Sequence, residues 1–191
     1  MVAALLADGR LYAMLKHFDE DLAAEQRAWG CPHCGAALHA APYPRKPRGL
    51  PRGRNGEHDR RLSLCCARHG CRRRATPPSL RFLGRKVYVA AVVVLISALR
   101  CWPTPTRVQC LEELAGVSRR TILRWRTWWC EVLPDTPFWR AAAGTLMPPV
   151  ERSRLPASLL ERFAGSAQDR LVSLLRWLAP ITTASATVHV M

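Results

Sequence analysis

The chain has 191 residues and a net charge of +15, and 49% of its residues are apolar. That length suits one domain, or two small ones sharing a core, and the apolar content excludes wholesale disorder. The longest uncharged apolar run, Val87 to Leu99, has thirteen residues, too few for a bilayer, which needs about 20.

The charge is concentrated. Residues 45–86 carry fourteen Arg or Lys against Glu57 and Asp59 alone, whereas residues 1–30 lean acidic. Such a stretch is the electrostatic footprint of a polyanion binder. Arginine in particular matches phosphate and guanine with a planar, two-pronged donor edge. Met1 to Ala7 is mildly apolar and lacks the basic flank of a secretory signal. The expectation is therefore a cytoplasmic, nucleoid-associated protein with no membrane association. In a reducing compartment, eight cysteines point to metal rather than to disulfides.

Within residues 1–30, Leu11, Met14, Leu15, Phe18, Leu22 and Ala23 recur at helical spacing and predict a helix over 10–29 that stops near Gly30. Residues 31–84 are rich in Cys, Pro, Gly and Arg and read as short strands and loops held by a metal. Inside them, Tyr43 to Asn55 reads as a flexible basic loop, its prolines and glycines denying it regular structure. Residues 85–132 begin with a Val-rich segment over 85–100 whose length favours a helix, broken by Trp102-Pro103-Thr104-Pro105. Two more helices are expected over 107–132. Residues 133–191 read as a Pro-punctuated linker followed by a C-terminal helical hairpin around 156–164 and 168–179. Pro180 ends the second helix, and the tail from Ile181 reads as frayed. The fold class is mainly α with a small β zinc ribbon and a three-helix helix-turn-helix unit.

Cys31-Pro-His-Cys34-Gly35 has the form of a zinc knuckle, in which two thiolates at this spacing bind one ion from a tight turn. A second cluster follows at Cys65-Cys66-Ala-Arg-His-Gly-Cys71. The expected site for Zn2+ is Cys31, Cys34, Cys71 and one of Cys65 or Cys66. Cys66 is preferred because Leu62, Ser63 and Leu64 read as an incoming strand. Four thiolates close the tetrahedron and leave no open position for catalysis. His33, His39 and His69 read as bystanders. Cys-Pro-His-Cys also occurs in thioredoxin-like oxidoreductases, where the first thiolate opens a helix. Here Gly35 stands where that helix would continue, no strand pattern precedes Cys31, and the second cluster would be unexplained. A zinc deaminase would need a His-x-Glu beside the cysteines, and none is present.

Val108 to Thr127 reads as a helix-turn-helix with Gly116 in the turn. The buried positions then fall on Leu111, Ala115, Val117, Ile122 and Trp125, all apolar, and Ser118 is a natural N-cap for the second helix. Its outward positions are Arg119, Arg120, Leu123, Arg124 and Thr127, a face suited to base and phosphate contact. Glu112 stands where a small residue usually packs near the helix crossing. Trp128 and Trp129 read as core or interface residues.

The order of CPHCG, then LCCARHGCRRRATPPS, then the helical region to Trp129 resembles the zinc-ribbon and helix-turn-helix region of insertion-sequence transposases and their accessory proteins. The resemblance covers residues 31–129 and implies binding of double-stranded DNA at transposon ends or at a promoter. Complete transposases of this kind need three acids on a ribonuclease-H-like fold. After Trp129 the acids are Glu131, Asp135, Glu151, Glu161 and Asp169, in a stretch too short for that fold. The reading is a DNA-binding accessory factor, regulator or truncated remnant, and not an enzyme. Arg45, Lys46, Arg48, Arg52, Arg72, Arg73 and Arg74 are the candidates for gripping phosphates, and Arg119, Arg120 and Arg124 for reading DNA. Leu159, Leu160, Phe163, Leu171, Leu174, Leu175 and Leu178 offer a C-terminal face for a homodimer or a transposase partner. An RNA-binding zinc ribbon and a thiol-disulfide oxidoreductase are the alternatives.

Overall fold

The computed structural model of the protein describes residues 2–45, 47–50, 58–83, 88–98 and 104–183. Helix α1 (Val2–Ala7) turns at Asp8 into α2 (Gly9–Trp29). The Asp8 carboxylate caps α2 by accepting the Arg10 N–H at 2.8 Å. The buried face of α2 is Leu11, Tyr12, Leu15, Asp19 and Ala23. Leu11, Leu15 and Ala23 belong to the spacing read from the sequence, whereas Tyr12 and the carboxylate of Asp19 do not. Met14, Phe18 and Leu22 pack against the same core from its margin.

Five short strands follow: β1 (Leu38–Ala40), β2 (Tyr43–Pro44), β3 (Arg60–Arg61), β4 (Leu64–Cys66) and β5 (Arg74–Ala75). They form an antiparallel sheet in the order β1-β4-β5 and a separate β2-β3 pair. Leu38 stands opposite Cys66, and Leu64 opposite Ala75. These four residues and Cys31 make a small core of their own.

The basic loop was expected to be flexible from Tyr43 onward, and its described part is anchored instead. Tyr43 and Pro44 pair with Arg61 and Arg60. Further on, the Arg48 carbonyl accepts the Val89 N–H at 3.0 Å, and Arg48 bridges Tyr88. Lys46 and Arg52 lie outside the described residues.

Helix α3 (Ala90–Ser97) is the centre of the larger core, buried from Ala90 to Ile96. A helix apolar on every side must be surrounded, and α1, α5 (Arg119–Thr127) and α8 (Ala167–Leu178) surround it. It begins later than the sequence predicts. Tyr88 and Val89 are extended because their backbone groups are engaged by Arg48 and Phe82. Residues 84–87 and 99–103 lie outside the described set.

Helix α4 (Pro105–Ala115) turns at Gly116 into α5, which continues through a π turn (Trp128–Val132) and a 3-10 turn (Leu133–Asp135). The stretch after 133, read from sequence as a linker, is packed. Thr136 caps α6 (Pro137–Ala142), accepting the Trp139 N–H at 3.1 Å, and Leu133 and Trp139 enter the core. Helix α7 (Ala157–Leu160) is a single turn, and α8 opens on a Ser166–Asp169 capping box. The leucine face expected to dock a partner is occupied within the molecule: Leu159, Leu171, Leu174, Leu175 and Leu178 are buried in its own core. Of the tail read as frayed from Ile181, Ile181 and Thr182 complete a 3-10 turn over Ala179–Thr182, and residues 184–191 lie outside the described set. Among the described residues, no helix is long and apolar enough to cross a membrane.

Candidate metal centre and nucleic-acid interface

Helix α2 delivers the chain directly to the first cysteine pair. Gly30 ends the helix at φ 80°, and a Cβ there would lie 2.8 Å from the Gly35 carbonyl oxygen. Only glycine allows the turn to fold back this tightly. The turn then closes on itself: the Gly35 N–H donates to the Cys31 carbonyl at 2.8 Å, and the Cys31 N–H to the Ala36 carbonyl at 2.8 Å. No helix begins at Cys31; the turn leads into β1. The second pair is built likewise. Strand β4 ends at Cys66, and the Arg68 N–H points at its sulfur at 3.4 Å. The Cys71 N–H returns to the Arg68 carbonyl at 3.1 Å.

The two turns bring Cys31, Cys34, Cys66 and Cys71 together, with all four sulfurs within 4.8 Å of one another. Cys31 to Cys71 is 3.9 Å and Cys34 to Cys66 is 3.5 Å. A disulfide needs about 2.05 Å. Sulfurs about 2.3 Å from a central ion stand about 3.8 Å apart in a tetrahedron, so the spacing fits a metal ion and not a cystine. Hydrogen bonds from the Ala36 backbone and the Cys66 thiol pull the Cys34 thiol down to about 6, while burial pushes Cys66 up to about 12. The four sulfurs are placed to hold one metal ion between them, and binding it would release the protons they carry.

Cys65 is not part of the cluster. Strand alternation turns it to the other face of β4, where its thiol faces the Arg72 carbonyl at 3.5 Å.

The arginines divide by environment. Arg72 and Arg73 are exposed beside Cys71, Arg72 at φ 45° and Arg73 with its guanidinium 3.2 Å from the His33 ring nitrogen. Arg74 is exposed but donates to the Ala41 carbonyl and the Ser63 hydroxyl, both at 3.4 Å. Arg45 is half-buried over the Phe82 ring. Arg48 is exposed.

On α5, Ser118 caps the helix, with its oxygen 3.4 Å from the Thr121 N–H. Thr121, Ile122 and Trp125 face inward, and Val117 in the turn is buried with them. Arg119, Arg120, Leu123, Arg124 and Thr127 are exposed. Glu112 is exposed too, so it meets water rather than the helix crossing. The side chains of Leu111 and Ala115 lie outside the described set. Trp129 is fully buried, with Trp128 edge-on against it.

No protein-family model, no curated protein and no solved structure matches the chain.

Two sets of supporting contacts have no sequence motif. Tyr88 donates its hydroxyl to the Gly116 carbonyl at 2.6 Å and stacks edge-on to Trp125 at 5.0 Å. It thereby fixes the turn between α4 and α5 at the foot of α3. Asp19 accepts from the Ser79 hydroxyl at 2.6 Å, the Leu80 N–H at 2.7 Å and Arg81 Nε at 2.8 Å. Arg81 in turn donates to the His58 and Arg60 carbonyls, joining α2 to the strands. A buried acid in an apolar ridge was the available signal for Asp19.

Proposed function

We propose that the protein is a zinc-dependent DNA-binding protein, a transposon-associated accessory factor or transcriptional regulator without a catalytic domain. The observation that carries this reading is α5. It is a serine-capped helix of nine residues with four arginines and no acid, set on buried Ile122 and Trp125 beside a glycine turn. In this reading α4 and α5 form a helix-turn-helix, and α5 enters the major groove, where an arginine matches guanine O6 and N7. The glycine at φ 64° supports the turn, since a left-handed residue there lets the two helices cross closely.

The four-cysteine cluster is a closed structural zinc site in this reading. An all-thiolate set with no open position suits zinc better than a hard cation. Arg72 and Arg73, held next to the cluster, grip phosphates. The resemblance of residues 31–129 to transposase DNA-binding regions supports the same assignment.

The test is selection of bound duplexes from a random DNA pool by zinc-loaded protein at physiological salt. The expected result is an enriched motif whose guanine positions are lost in the Arg120→Ala/Arg124→Ala variant while its circular dichroism is unchanged. Each guanine contact should contribute about tenfold or more in affinity. Binding without enrichment, collapsing as salt rises, means phosphate contact alone and overturns the sequence-reading assignment. Preference for single strands or structured RNA has the same consequence.

A further inference from the structure

We infer that α5 selects a thymine near a guanine, with Leu123 covering the thymine 5-methyl group and Arg120 pairing with the guanine edge. This rests on the DNA-binding reading above and specifies what that site recognises.

The inference comes from the arrangement of side chains around α5. At about 100° per residue, the inward-facing Thr121, Ile122 and Trp125 define a stripe whose opposite point lies among Arg120, Leu123 and Thr127. Those three share an arc of about 60° by the same spacing. Arg119 and Arg124 flank that arc. Leu123 is 43% exposed. A lone exposed leucine is ordinary; one on a face otherwise made of arginine and threonine, within about 30° of its outermost point, is placed where a groove floor would meet it. The helix has no acid to repel DNA.

The flanking chemistry separates the roles. Arg124 donates to the Thr121 hydroxyl at 3.2 Å, which draws its guanidinium back along its own helix and away from the outermost point of the face. Arg120 stands one turn before Leu123, with Cβ atoms about 5–6 Å apart at that spacing. That reach covers one or two base steps at about 3.4 Å each. Of the four bases, only thymine offers an apolar group in the major groove. A cytosine there would leave its N4 amino donor facing a leucine that cannot accept it.

The experiment uses the most enriched duplex from the selection and full-length zinc-loaded protein. Each thymine is replaced in turn by deoxyuridine, which lacks only the methyl, and affinity is read by fluorescence anisotropy. At one thymine within two positions of a guanine, affinity should fall about fourfold, the change expected for one buried methyl-sized group. Leu123→Ala should bind the thymine and deoxyuridine duplexes equally. Arg120→Ala should keep the thymine preference and lose the guanine preference. An enriched duplex with no thymine–deoxyuridine difference at any position overturns this inference while leaving DNA reading intact. So does a difference that survives in Leu123→Ala. Absence of any enriched duplex overturns both.

Discussion

Two adjacent cysteines, Cys65 and Cys66, have opposite fates because β4 is a strand. Successive side chains point to opposite faces, so Cys66 joins Leu64 in the small core while Cys65 faces the Arg72 carbonyl. Cys66→Ser should therefore lose bound metal and unfold the two cysteine turns, whereas Cys65→Ser should retain one equivalent. Metal content after gel filtration, with the sulfur-to-cobalt charge-transfer band of cobalt-substituted protein, distinguishes the two. Retention of metal by Cys66→Ser, with loss in Cys65→Ser, would move the ligand by one residue and reverse the register of β4. The preference for Cys66 was legible because Leu62, Ser63 and Leu64 mark an incoming strand. Alternation alone fixes only that the two cysteines differ; the turn that brings Cys66 beside Cys31, Cys34 and Cys71 is seen only in the fold.

Asp19, which no motif marks, ties helix α2 to the segment from Ser79 to Arg81. Its carboxylate is fully buried and satisfied by three donors on the segment from Ser79 to Arg81. Asp19→Ala leaves the Arg81 guanidinium buried without its counter-charge and should cost about 3–5 kcal/mol. Urea unfolding followed by circular dichroism measures this. Asp19→Leu combined with Arg81→Met should recover much of the loss, because the penalty lies in the orphaned charge rather than in a missing attraction. A loss below about 1 kcal/mol in Asp19→Ala would mean that water reaches the site. The sequence hid this clamp because its two sides are some sixty residues apart and only the fold brings them together. It hid α6 for a different reason. Thr136-Pro137 is a cap followed by the favoured first-turn proline, yet the surrounding prolines read as a linker. The α4–α5 turn was legible in detail because Gly116, Ser118, Ile122 and Trp125 are local signals that need no distant partner. The start of α3 was not, because Tyr88 and Val89 are held extended by Arg48 and Phe82.

The whole molecule contains two cores of unequal size. The larger gathers α1, α2, α3, α5, α8 and the turns after α5, while the smaller has five buried residues, two of them cysteines of the cluster. A core that small cannot offset the chain entropy of the strands around it, so on the proposed zinc assignment its order depends on the ion. The larger core has no such dependence. Chelation should then remove amide-exchange protection from residues 31–44 and 60–75 while α2, α3 and α8 stay protected. Hydrogen exchange read by mass spectrometry follows each segment separately. On the proposed DNA-binding reading, the same treatment should weaken binding without erasing the motif preference, since Arg120 and Leu123 stand on α5, which packs on the larger core. If Arg72 and Arg73 each hold a phosphate, as proposed, releasing them should flatten the log–log salt dependence by about 2, at roughly 0.9 per phosphate. Simultaneous loss of protection throughout would instead make the two cores one cooperative unit. The Asp19–Arg81 clamp is then the connection that transmits the collapse, because Arg81 bonds the carbonyls of His58 and Arg60 on one side and the carboxylate of α2 on the other.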